Sequence, residues 1–180
     1  MGINFYLDPA TINTVSSSNR GLLKVPTHDE NDTLVERNGG NKKWREHVTI
    51  KATGSEIWEK DKDIVIVKVQ YAIDEGYYPP NGRRIFTKSY FINGKAVKDT
   101  AHESNKRTVM TLGKLVALAR VCGVAVEASE GEKFDLLASF DDGSMVGKSF
   151  WAVFRDYNYE KDGQVKNDQD IDNFIKDETA

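Results

Sequence analysis

Arg84-Ile85-Phe86-Thr87-Lys88-Ser89-Tyr90-Phe91-Ile92 interleaves basic and aromatic residues with others. The two-residue period of a β-strand puts Arg84, Phe86, Lys88 and Tyr90 on one face. Phosphates attract Lys and Arg and unpaired bases stack on aromatic rings, so such a face suits single-stranded nucleic acid. A half-buried strand whose long cations reach out to water gives the same pattern.

The neighbouring sequence extends the strand reading in both directions. Upstream, Ile64 to Ile73 is a β-branched run with Val65, Val67, Val69, Tyr71 and Ile73 on its apolar side and Lys68 and Gln70 opposite. Asp74 to Gly82, with Pro79-Pro80 and Asn81-Gly82, reads as the connection between these two strands. An earlier strand starts at Trp44: Trp44, Glu46, Val48, Ile50 and Ala52 lie on one side, and Arg45, His47, Thr49 and Lys51 on the other. Downstream, Asn93-Gly94 is a turn signal. A helix follows from about Ser104 to Cys122, with Val109, Leu112, Leu115, Val116, Ala119 and Cys122 as its apolar stripe and Gly123 as its stop. Gly147 to Tyr159 reads as an aromatic-rich strand, and Glu160-Lys161-Asp162-Gly163 as a turn into Gln164-Val165-Lys166.

The order strand, strand, strand, helix, strand, hairpin, strand predicts a mainly β fold. The expected architecture is a five-stranded OB-like Greek-key barrel with one α-helix between its third and fourth strands. Residues 1–40, rich in Asn, Thr, Ser and Gly, read as an N-terminal arm with loops, residues 41–166 as the barrel domain, and residues 167–180 as an acidic tail.

The net charge of -3 conceals an uneven distribution. Asn41 to Arg120 carries 16 Lys or Arg against 9 Asp or Glu, whereas Asp156 to Ala180 carries 3 against 8. A basic body with an acidic end fits a polyanion ligand better than the total suggests. No apolar run approaches the roughly 20 residues of a membrane span. Met1 to Asn13 has neither the basic start nor the apolar centre of a signal peptide, so a cytoplasmic location is expected. Cys122 is the only cysteine, which rules out an intrachain disulfide and a Cys-rich zinc site.

Several chemical motifs fail on spacing. Gly143-Ser144-Met145-Val146-Gly147-Lys148-Ser149 has three residues between its glycines where a phosphate-cradling P-loop needs four, and a strand rather than a helix follows. Asp168, Asp170 and Asp172 imitate a calcium loop, but Asn173 stands where its Gly belongs and Thr179 where its Glu belongs. His28, His47 and His102 share no ligand spacing. No enzymatic activity, cofactor or metal is expected.

What remains is a basic and aromatic constellation on three strands. Arg45, Lys51, Arg84 and Lys88 are the candidate phosphate contacts, with Arg155 beside them on the late strand. Phe86, Tyr90 and Trp151 are the candidate stacking rings.

Three phrases carry a family resemblance: Gly82-Arg83-Arg84-Ile85-Phe86 after an extended strand, the helix Leu112 to Gly123 with its Leu-Val-Ala-Leu-Ala centre, and Met145-Val146-Gly147-Lys148-Ser149-Phe150-Trp151-Ala152-Val153. From about Lys43 to Val165 the chain resembles small bacteriophage single-stranded DNA-binding proteins that sit among replication and recombination genes. The resemblance implies an OB-type fold, binding of single-stranded DNA and work inside a bacterial host cell. It also implies an acidic tail that recruits replication or recombination proteins. A homo-oligomer is compatible with a partly open barrel, which leaves strand edges to pair. The rival expectation is a phage protein-interaction module, an inhibitor or adaptor of a host protein, using the same sheet without nucleic acid.

Overall fold

The computed structural model describes residues 6–18, 35–37, 41–76 and 85–175. In chain order the elements are β1 (Tyr6–Leu7), α1 (Pro9–Ser18), β2 (Val35–Arg37), β3 (Asn41–Ile57), β4 (Ile64–Gly76), β5 (Ile85–Asn93), α2 (Asn105–Val121), β6 (Phe134–Asp135), α3 (Leu136–Asp141), β7 (Ser149–Lys161) and β8 (Gln164–Ile175).

Alternation in β4 decides the sheet's polarity: Val65, Val67, Val69, Tyr71 and Ile73 are buried, while on the other face Lys68 is exposed and Gln70 half-buried, with only Ile66 buried there as well. The β-branched side chains favour the pleated backbone and give it one wholly apolar face. β4 pairs antiparallel with β3 and β5, β3 pairs with β7, and β7 pairs with β8, so the strand order is β5-β4-β3-β7-β8. β2 pairs with the start of β3. The sheet curls into a half-barrel. Its outermost strands approach each other where Lys88 Nζ on β5 donates to Asp170 Oδ1 at 2.6 Å and to the Ile171 carbonyl at 2.9 Å on β8.

Helix α2 covers the inner face with Leu112, Leu115, Val116, Leu118 and Ala119, all buried. Its last turn closes at Gly123, whose φ of 88° is open to glycine at little cost. The turn between β7 and β8 likewise uses Asp162 and Gly163 at positive φ, the pairing that suits a two-residue hairpin. No helix among the described residues is long and apolar enough to cross a membrane.

Two segments expected to lie outside the barrel belong to its packing. Residues 6–18, placed in the N-terminal arm, form β1 and α1; Leu7 and Val15 are fully buried and α1 lies on α2. Asp8 accepts from the Thr11 amide at 2.8 Å and Pro9 opens the helix, so a cap and a preset φ start it. The hydrogen bonds from Thr11 and Lys98 also hold the Asp8 carboxyl well below the usual carboxylate range. At the other end, the expected boundary at residue 167 falls inside β8. Ile171 and Phe174 are buried there, so the segment is a core strand as far as Ile175. A short helix, α3, also stood outside the expected pattern. It is capped by Asp135, which accepts from the Ala138 amide, and it seats Leu136, Leu137 and Phe140 in the core.

Candidate nucleic-acid interface

The strand that suggested nucleic-acid binding divides its residues differently from the expected exposed face. Phe86 (5 % exposed), Tyr90 (3 %) and Ile92 point into the core, whereas Ile85, Thr87, Ser89 and Phe91 point outward. Phe86 meets the Phe154 ring edge-on at 5.6 Å, and the Tyr90 and Tyr71 hydroxyls share a hydrogen bond at 2.9 Å. Neither ring can stack on a base, because each is enclosed by protein on the inner side of the sheet. Phe86 and Tyr90 are therefore corrected from stacking rings to core residues. Burial and the neighbouring hydroxyl push the Tyr71 phenol far up; burial likewise raises Tyr90.

Lys88 shares their face and is corrected too. Its side chain is only 14 % exposed, and its ammonium is held by Asp170 and the Ile171 carbonyl. Burial lowers its pKa, and the Asp170 charge opposes that shift. A cation neutralised this way bridges the two outermost strands and has little left for a phosphate. Arg155, about 38 % exposed, lies with Nη2 3.7 Å from the other Asp170 oxygen. Arg84 lies outside the described residues, as does the Arg45 side chain, whose backbone pairs with Val153.

The outer face holds a different constellation, organised by a bulge in β3. Pairing steps from Ile50–Tyr71 to Ala52–Gln70, leaving Lys51 as the extra residue with its side chain exposed. A bulge reverses which residues face outward. His47 and Thr49 share the outer side before it; Ala52, which the alternation had put on the apolar side, is exposed and joins Gly54 on the outer side after it.

Ala52, Gly54, Ser55, Lys68, Gln70 and Thr87 line a groove of about 360 Å³ across β3, β4 and β5. Gly54 contributes no side chain, and a Cβ built there would meet nothing within 4 Å. Further along the strands, Phe91 (45 % exposed) meets Trp58 edge-to-face at 5.7 Å, and Lys60 Nζ lies 5.8 Å from the Trp58 ring centroid. Lys68 pairs with Glu56 at 2.6 Å, both about half exposed. Such an exposed pair contributes little stability, and its cation can be exchanged toward another anion.

A second cluster lies on the same face where β3, β4 and β7 adjoin. Asp74 Oδ2 is 3.0 Å from His47 Nδ1 and accepts from the Thr49 hydroxyl at 2.7 Å. Thr49 Oγ1 is in turn 2.7 Å from Ser149 Oγ. Trp151, a predicted stacking residue, is half-buried and meets the His47 ring edge-to-face at 5.1 Å. Lys51 on β3 and Lys148, the residue before Ser149, are both exposed.

The glycine-lysine run that imitates a P-loop is spent on structure. The Gly147 amide donates to the Ile50 carbonyl at 2.8 Å and the Lys148 amide to Met145 at 3.2 Å, which ties this loop to β3. Asp170, from the calcium-like trio, is engaged by Lys88 and Arg155 in a strand rather than a loop.

Thus, of the candidate residues, Lys51 is exposed and Trp151 half-buried beside His47, while Phe91, Trp58, Lys60 and the small residues of the groove are additions to the set. Phe91 was legible as the alternate register of the same strand; Gly54 within a β-run was a signal of close backbone approach. The sequence matches no protein-family model and no curated protein.

Proposed function

We propose that the chain binds single-stranded DNA without strict sequence preference and performs no chemistry of its own. The observation that carries this reading is the outer-face groove floored by Ala52, Gly54 and Thr87, continued by the Trp58–Phe91 pair with Lys60 beside it. Small residues let a strand approach the sheet, exposed rings offer stacking surfaces, and Lys51, Lys60, Lys68 and Lys148 supply charge for phosphates.

The strand order supports an OB-type reading: β3, β4 and β5 pair in sequence, β7 returns beside β3 after α2 and α3, and the hairpin strand β8 reaches toward β5. Together with the sequence resemblance, this supports a role in bacteriophage replication or recombination inside the host cell.

The test is fluorescence anisotropy with labelled dT oligonucleotides over a salt series. Affinity falls on a log-log plot with a slope of about 0.7 per phosphate contacted. A duplex competitor displaces little. Binding that ignored salt, or that duplex matched, would remove the reading.

A second reading, a protein-interaction module, is favoured by the distal β7–β8 hairpin. Pairing of β7 with β3 ends at Arg155, and beyond it Tyr159 and Val165 (39 % and 76 % exposed) stand out. That reading expects no retention of DNA at low salt.

A further inference from the structure

Charge is scarce in the outer-face groove. Among the described residues that line it, Lys68 and Glu56 are the only charged ones, and they meet at 2.6 Å between Nζ and Oε1. In the register of β3 and β4, Lys68 lies opposite Gly54 and Glu56 opposite Ile66, so the ammonium reaches diagonally along the outer face to its carboxylate. Gly54 has no side chain to hold the lysine stem. The Thr53 and Ser55 hydroxyls of the same stretch donate to the Phe140 carbonyl and the Asp141 carboxylate at 2.6 and 2.7 Å, so they are engaged with α3. Glu56 therefore sets where the groove's cation sits in the empty site.

The same carboxylate stands between the two parts of the proposed surface. Along β3, Gly54, Glu56 and Trp58 follow at the two-residue period, and the Trp58 amide donates to the Ile64 carbonyl at 2.9 Å, continuing the pairing with β4. Glu56 thus falls between the groove floor and the Trp58–Phe91 rings. A polyanion that uses both must bring a phosphate near a negative charge. Lys68 and Glu56 are each about half exposed, and an ion pair this wet is held weakly, so a phosphate can take the ammonium from the carboxylate. The released carboxylate stays ionised beside the phosphate and repels it.

We infer that Glu56 is a competing anion built into the groove: it holds Lys68 in the empty site, yields it to a phosphate of the bound strand, and keeps that strand easy to displace. The inference rests on the single-stranded DNA reading and assigns to that site a residue that regulates its affinity. Its signature is a change of sign, since replacing a side chain that lines a binding groove ordinarily weakens binding.

The experiment measures fluorescence anisotropy with labelled dT oligonucleotides over a salt series for the wild-type chain, Glu56→Gln, Lys68→Met and the double variant. Glu56→Gln keeps the shape and removes the charge, and is expected to bind dT roughly two- to fivefold more tightly. Its log-log salt slope is expected to steepen by up to about 0.7, because the wild-type carboxylate takes up a counterion when Lys68 leaves it and Gln does not. Lys68→Met is expected to weaken binding, and in that background Glu56→Gln is expected to give less than half of its gain. Glu59→Gln, the same charge change on an exposed residue outside the groove, is expected to leave affinity near the wild-type value. Thermal unfolding checks each variant, and Glu56→Ala takes the place of Glu56→Gln if that chain does not fold. Unchanged or weaker dT binding by Glu56→Gln, an equal gain from Glu59→Gln, or the full gain in the Lys68→Met background overturns the role of Glu56, while salt-sensitive binding by the wild-type chain still upholds DNA binding. Absence of dT binding by every chain overturns both.

Discussion

Phe86 and Phe91 occupy one strand and face opposite ways, so their truncations are expected to separate stability from binding. Phe86→Ala empties a core position and costs about 3 to 5 kcal/mol, visible as a lower urea midpoint. Phe91→Ala, at a ring 45 % exposed, leaves the midpoint nearly unchanged. It weakens dT binding by about 1 to 3 kcal/mol if a base stacks there. The sequence carried both alternatives and could not choose between them. Aromatic residues occur on both faces of β5, and the cation that marked one face as wet, Lys88, finds its carboxylate 82 residues away. A long-range ion pair leaves no local trace. The buried hydroxyl pair Tyr71–Tyr90 makes a pH prediction. Both phenols are held above the ordinary value of about 10, so above that pH the unfolded chain loses protons the folded chain keeps. Stability is therefore full below about pH 10 and declines as pH rises beyond it, measurable as a falling urea midpoint with tyrosinate absorbance appearing on unfolding. Cys122, buried and with its thiol pushed up to about 12 by desolvation, is expected to react with a disulfide reagent only after unfolding.

The elements themselves were largely legible. β4, β5 and α2 lie where periodicity placed them, because each has one apolar face and a clear stop. Other features escaped for physical reasons. The β3 bulge arises from pairing with β4 and cannot be seen in one strand alone. α1 has a mixed polar surface and stands because Leu7, Ile12 and Val15 dock in the core. β8 hid beneath its carboxylates. Removing residues 167–175 is therefore expected to abolish cooperative thermal unfolding rather than trim a solvated tail. Ile171 and Phe174 alone represent several kcal/mol, against a typical domain stability of about 5 to 15. The groove permits a gentler probe. Gly54→Val adds a β-favouring side chain where nothing lies within 4 Å, so the melting temperature holds or rises. The same side chain fills the groove floor, so dT affinity falls.

At the scale of the molecule, a nearly neutral total divides into a basic middle and an acidic last strand, and the fold brings them together rather than keeping them apart. Lys88 and Asp170 show it directly, since charges of opposite sign from the two ends of the sheet meet at its seam. Counting the free cations of the outer face is therefore a better guide to salt dependence than counting all Lys and Arg.

The position of β3 in the sheet also governs time. It lies between β4, the next strand in the chain, and β7, whose Ser149 meets Thr49 a hundred residues later. While the polypeptide is being made, β3 can form one ladder almost at once, but its other edge waits for more than half the sequence to be synthesised. Nonlocal closures of this kind fold in milliseconds to seconds rather than microseconds. Through that interval β3 is an unprotected template, and the nascent chain, more than the finished protein, is the form most exposed to pairing with the wrong strand.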